Sequence, residues 1–137
     1  MPVSPPLLLT REHRDIIILH ALEEAPNECC GLLLGRSGRI ERVIVMKNDL
    51  PAPDAYFMNP EQQIEVFTDM AKRGEELLGI YHSHPKGPAE PSGSDLQLAF
   101  HPETVYFIIS LADAVRPKVR AFVLRNGGFD EVQFIIT

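Results

Sequence analysis

The sequence predicts an α/β domain, a mixed β-sheet flanked by helices, and three observations predict it. Apolar runs at Cys29 to Leu34, Leu77 to Tyr81 and Thr104 to Ser110 read as buried strands, because a strand covered on both faces has no reason to alternate. Gly35-Arg36-Ser37-Gly38 and Asn126-Gly127-Gly128 read as hairpin turns. Between the strands lie segments with helical spacing, in the order helix, hairpin, helix, strand, helix and then three strands. Such an order suits helices packed over a mixed sheet. The 137 residues, 15.3 kDa, form one domain spanning 1–137, large enough to bury a core.

Each element has a local cause. Leu7 to Thr10 reads as a short strand or lead-in. Thr10 opens a helix in which Ile16, Ile17, His20, Ala21 and Glu24 recur at helical spacing, and Pro26-Asn27 ends it. The strand from Cys29 turns at Gly35–Gly38 and returns through Arg39 to Met46 with polar and apolar residues alternating. Lys47 to Asp54 is a loop, and Ala55 to Met58 a brief strand. Asn59 caps a second helix with Pro60 at its first position, an apolar face of Ile64, Phe67, Thr68 and Ala71, and Gly74 as its stop. A third helix is expected from Ser92 to about Phe100, ended by His101-Pro102. Pro117 to Leu124 and Phe129 to Ile136 are the last two strands.

Composition excludes several classes. A net charge of −6 and a pI near 5.3 argue against nucleic-acid binding, which asks for a basic stripe. Cys29 and Cys30 are adjacent, a geometry that disfavours a bridge, and they read as buried free thiols. The N-terminus has no basic region followed by a signal core, and no apolar run reaches a membrane span. The expected setting is the cytoplasm, with no membrane partner.

The chemistry gathers in Tyr81-His82-Ser83-His84-Pro85 and Pro91-Ser92-Gly93-Ser94-Asp95. Residues two apart in a strand point to one face, so His82 and His84 present two imidazoles together. Pro85 cannot continue a sheet ladder. Ser92 is a strong helix N-cap, and Asp95 falls in the first turn on the same side. If the intervening loop folds back, a carboxylate meets two imidazoles. Three protein ligands with an open fourth position are the form of a catalytic zinc site. Taken alone, His-x-His is an ordinary strand feature and Ser-x-x-Asp an ordinary cap. Joined by one short Pro/Gly loop, they define a metal-site candidate.

His82-x-His84, seven intervening residues and Ser92-x-x-Asp95 resemble the signature of the JAMM (MPN-plus) zinc metalloprotease family. The segment Asn27 to Gly35 looks like the family's upstream glutamate segment, and the resemblance covers nearly the whole chain, in the short bacterial and archaeal form. It implies a cytidine-deaminase-like fold, although the deaminase motifs themselves are missing. It implies one Zn2+ per chain with a bound catalytic water, held by His82, His84 and Asp95. It implies Glu28, rather than Glu23 or Glu24, as general base and then acid, and Ser92 as the donor to the oxyanion. His13, His20 and His101 are expected at the surface or at helix ends, Glu90 is expected solvated, and Tyr56-Phe57 is expected in the core beside the groove.

The resemblance further implies an isopeptidase acting after the C-terminal Gly-Gly of a ubiquitin-like or sulfur-carrier protein, releasing cysteine or another adduct. A compact loop from Lys86 to Pro91 should admit only a thin chain, with weak demands on the leaving group, and an extended tail can pair with an exposed strand edge. Two alternatives come with the family. One is a non-catalytic MPN scaffold, disfavoured by the full set of ligands. The other is a DNA-repair-associated relative, suggested by His84-Pro85-Lys86-Gly87 and Pro91-Ser92 but opposed by the negative charge. The sequence leaves the oligomeric state open, a homodimer being one of the states it allows.

Overall fold

Eight strands and two helices make up the described residues, 5–93, 95 and 103–137, of a computed structural model. In chain order they are β1 (Leu7–Leu9), α1 (Arg11–Glu24), β2 (Cys30–Arg36), β3 (Arg39–Met46), α2 (Pro60–Arg73), β4 (Glu76–His84), β5 (Val105–Ser110), β6 (Lys118–Arg125), β7 (Gly128–Val132) and β8 (Phe134–Ile136). One mixed sheet takes all eight strands, in the order β7-β6-β5-β4-β2-β3-β1-β8. The pairs β4–β5, β1–β3 and β1–β8 are parallel, and the others antiparallel.

Helix ends form where their caps stand. Thr10 Oγ1 accepts the His13 backbone N–H at 3.1 Å, and His13 Nδ1 accepts the Thr10 N–H at 3.3 Å. This is a reciprocal capping box with histidine in the usual acid position. Asn59 Oδ1 accepts the Gln62 N–H at 2.7 Å, and Gly74, at φ 69°, closes α2 in the left-handed region. The hairpin turns are tighter than the sequence suggests. β2 runs through Arg36, leaving Ser37 and Gly38 as a two-residue turn with both φ positive. Asn126-Gly127 repeats the geometry between β6 and β7.

The sheet separates two apolar layers. On one face α1 contributes Ile17 and Ala21 to a core with Cys29, Leu33, Tyr81, Phe107 and Ile109. On the other, α2 sets Val66, Phe67 and Met70 against Cys30, Leu32, Leu34, Ile80 and Tyr106. Alternation along β2 thus sends the two adjacent cysteines to opposite faces. Both are free and buried, and burial pushes both thiols up to about 12. His82 and His84 share the α2 face with Ile80.

Four expectations yield to packing. The residues of α2 that meet the sheet are Val66, Phe67 and Met70, while Ile64 is 67% exposed and Thr68 and Ala71 also face outward. Ala55 to Met58 is no strand, and Met58 makes only an isolated bridge to Asn48. The segment expected as one strand from Phe129 to Ile136 breaks at Gln133. β7 pairs β6 at one end of the strand order, and β8 pairs β1 at the other. One residue spans only about 3.5 Å, so the sheet curls until its ends meet, with Phe134 against Phe107 at 5.3 Å between ring centroids. His20 lies buried under the sheet, its Nδ1 2.7 Å from the Tyr81 hydroxyl, and burial lowers its pKa. The helix expected to run to Phe100, together with His101, lies outside the described residues beyond Asp95.

Gly31 lies opposite Tyr81 across the β2–β4 ladder, and a Cβ there would enter the Tyr81 ring. Backbone and ring are both fixed, so Gly31→Ala is expected to cost about 1–3 kcal/mol through overpacking. For a domain of this size that is a Tm loss of roughly 4–12 °C, measurable by calorimetry. An unchanged Tm would show that the ring has room to move.

Candidate metal centre

β4 delivers His82 and His84 side by side, both buried, at the end where the parallel strands β4 and β5 finish. Asp95 comes back from the loop. Its Oδ1 lies 3.0 Å from His82 Nε2 and its Oδ2 3.0 Å from His84 Nε2, and the two Nε2 atoms are 3.2 Å apart. Ligand atoms about 2.0–2.1 Å from a tetrahedral zinc stand about 3.3 Å from one another. The three residues therefore fit such an ion, and together they form a group that can hold a metal. His84 Nδ1 lies 2.9 Å from the Pro88 carbonyl, which can accept a hydrogen bond from an Nδ1–H and so leave Nε2 free for a metal. Tyr56 stacks on His82 at 5.0 Å and 28°.

Charge is balanced within the group. Burial alone would raise the Asp95 carboxyl, but hydrogen bonds to His82 and His84 outweigh it and hold the group well below the usual carboxylate range. Burial alone would lower His84, and Asp95 with the Pro88 carbonyl reverses that. A cation at the three ligand atoms would take over the protons' role.

Glu28 stands one strand away. The β2–β4 register pairs Cys30 with His82, and Cys29 meets Ser83 through Ser83 N–H to the Cys29 carbonyl at 3.2 Å and Cys29 N–H to Ser83 Oγ at 2.8 Å. Glu28 lies two residues before β2, its N–H bonded to the Ala52 carbonyl at 2.8 Å, and near enough to His84 and Asp95 for their charges to act on it. The residue is 5% exposed, and its Oε1 has no hydrogen-bond partner among the described residues. Burial pushes its carboxyl up to about 8, against the pull of His84. A bare buried carboxyl oxygen is costly, and this one sits beside the only His/Asp cluster of metal-ligand spacing among the described residues.

Ser92 caps the turn that carries Asp95. Its N–H donates to Asp95 Oδ2 at 2.9 Å, and its Oγ accepts the Asp95 N–H at 3.1 Å. The cap uses a lone pair and leaves the hydroxyl proton free to donate.

Asn48 is a residue that sequence reasoning passed over as loop. Its Oδ1 accepts the N–H groups of Leu50 and Phe57 at 3.1 and 2.9 Å, and its Nδ2 donates to the Glu28 carbonyl at 3.1 Å. One side chain thus ties the 48–58 loop to the glutamate and holds Tyr56 over His82. An asparagine opening a Pro-containing loop is the available signal. Phe57, expected in the core, is exposed instead, whereas Tyr56 is packed. Glu90 is exposed as expected and pairs with Arg120 at 3.5 Å.

Known proteins resemble this chain over most of its length. The family model described as prokaryotic homologs of the JAB domain matches residues 10–125. A Mycobacterium tuberculosis protein named CysO-cysteine peptidase is 32% identical over 127 residues, covering 91% of this chain and 87% of that protein. A Thermus thermophilus protein named as a probable TtuB-protein conjugate cleaving protease is 41% identical over 118 residues, 85% of this chain and 74% of that protein. A solution structure of a protein from Desulfitobacterium hafniense superposes with a TM-score of 0.86 at 38% identity, over 96% of this chain and 92% of that one.

Proposed function

The chain belongs to the family of prokaryotic JAB (MPN) domains, and from that membership we propose that it is a zinc-dependent metallopeptidase of isopeptidase type. Its substrate is a ubiquitin-like or sulfur-carrier protein, cut after a C-terminal Gly-Gly. The observation that carries the reading is the His82, His84, Asp95 group with a buried carboxyl, Glu28, beside it just ahead of the neighbouring strand. The substrate class is supported by the relatives named as a CysO-cysteine peptidase and a probable TtuB-protein conjugate cleaving protease.

His82, His84 and Asp95 would hold the zinc, which when bound would supply Lewis acidity to acidify a water and polarise a carbonyl. Glu28 removes the proton from the attacking water and returns it to the leaving amine. A carboxyl held near working pH can serve in both directions. Ser92 donates its free hydroxyl proton to the developing oxyanion. Asn48 and Tyr56 keep Glu28 and His82 in register with these groups. A scaffold without chemistry would have no need of a complete ligand set.

The thin-tail expectation stands on the 86–91 loop alone. The strand bearing the histidines has no free edge, since β2 and β5 pair with it on both sides. A carrier ending Gly-Gly-Xaa is expected to be cut roughly tenfold or more faster than the same carrier ending Ala-Ala-Xaa, because an added methyl in a close-fitting site costs that much. Intact mass against time measures both. Equal rates would point to a general peptidase, and no cleavage of either would remove the activity proposed.

A further inference from the structure

The sheet register continues past the metal group on the side away from Glu28. His84 pairs with Ser110 on β5, and Ser110 with Lys118 on β6, while His82 pairs with Ile108 and Ile108 with Arg120. Paired residues face the same way, so Lys118 and Arg120 stand on the histidine face, two strand spacings or about 10 Å away. There the 87–90 loop and the 111–118 segment enclose a cleft of about 570 Å³, of the size that small ligands occupy.

Cleft and metal group share a wall. Pro88 lines the cleft, and its carbonyl is the partner of His84 Nδ1. The Gly87 carbonyl accepts the hydroxyl of Ser110, another lining residue, at 2.6 Å. The opposite flank is occupied by the 48–58 loop, with Tyr56 stacked on His82.

The lining carries uncommitted positive charge. Arg120 is engaged by Glu131 and Glu90. Asp113 is turned onto the backbone N–H groups of Val115 and Arg116. Arg116 and Lys118 form no ion pair among the described residues. In a chain of net charge −6, two cleft-lining cations with no ion pair among the described residues favour an anion in the cleft.

We propose that this cleft receives the leaving group and selects one with a free α-carboxylate close to the scissile bond, a single amino acid or very short peptide. The proposal rests on the peptidase reading above. An extended residue advances about 3.4 Å, and Arg116 and Lys118 line the cleft whose Pro88 wall also bounds the metal group, so a carboxylate one or two residues past the cut comes within reach. It narrows the weak leaving-group demand expected from sequence. Hydrolysis itself is unchanged: water adds across the amide, the carrier keeps the new carboxylate and the leaving amine takes the proton.

The test compares one carrier ending Gly-Gly-Ala as the free acid with the same carrier ending in the C-terminal amide. Wild-type protein is expected to cut the acid roughly tenfold faster in kcat/KM, the lower range for a hydrogen bond to a charged group. In Arg116→Gln/Lys118→Gln the ratio should fall close to one, with melting temperature measured alongside to confirm folding. Lys118→Glu should bring the ratio to one or below. Equal rates in the wild type would overturn the proposal while leaving the peptidase reading intact. A preference that survives in the double variant would also overturn it. No cleavage of either carrier would overturn the peptidase reading and this proposal with it.

Discussion

Glu28→Gln is expected to retain about one zinc per chain and to lose roughly a hundred- to ten-thousandfold in kcat, the range for removing a general acid–base. Glutamine fills the same space one strand from the histidines, and Glu28 is not among the three ligand residues, so the metal group should stay intact. What disappears is the capacity to take up and return a proton. A second readout separates this from misfolding. In the metal-free protein burial holds the Glu28 carboxyl at about 8, against an ordinary 4.5. The folded state then keeps a proton that the unfolded state releases, so Glu28 costs the fold stability as pH rises from 4.5 to 8. The neutral amide escapes that cost. Metal-free Glu28→Gln should therefore melt above wild type at pH 8 and close to it at pH 4. Wild-type turnover with zinc bound would assign the base elsewhere.

Asp95→Asn should abolish stoichiometric zinc. Asp95 bridges both imidazoles at 3.0 Å and is the sole anion of the group. An amide is a poorer ligand, and it also removes the charge that balances the cation. Even changes one shell out typically cost about 10–100-fold in metal affinity, so loss of a ligand should exceed that. Elemental analysis after desalting is expected to fall from about one zinc per chain to near zero. Zinc should also lose its effect on the melting temperature, since a hundredfold weaker affinity removes about 2.7 kcal/mol of linked stabilisation. Full zinc content in the variant would mean that the ion sits elsewhere.

Much of the site was legible because its signals are local. Two histidines two apart on a strand face the same way in any sheet, and a serine three residues before an aspartate caps in any fold. The ends of α1 and α2 follow from Thr10, Asn59, Pro60 and Gly74 for the same reason. The apolar face of α2 was misread because Ile64 and Phe67 lie on one helical stripe and Val66, Phe67 and Met70 on another. Local spacing does not say which stripe the sheet will cover.

By itself the sequence determined α1, α2 and most of the strands, the paired imidazoles and the capped aspartate, all of them consequences of neighbours within a few residues. Only the tertiary structure decided what those elements meet. The β2–β4 register pairs Cys30 with His82 and so carries Glu28, two residues ahead of β2, to the metal group from 56 positions away from His84 in the sequence, and a slip of one residue would turn every β2 side chain to the other face of the sheet. That register follows from core fit, with Tyr81 lying over Gly31 and bonded to His20 beneath it. The break at Gln133 follows from sheet curl, which lets one residue join the two ends of the strand order. Periodicity fixes which way a side chain points, but the partner it points at is set by packing between segments far apart in the chain.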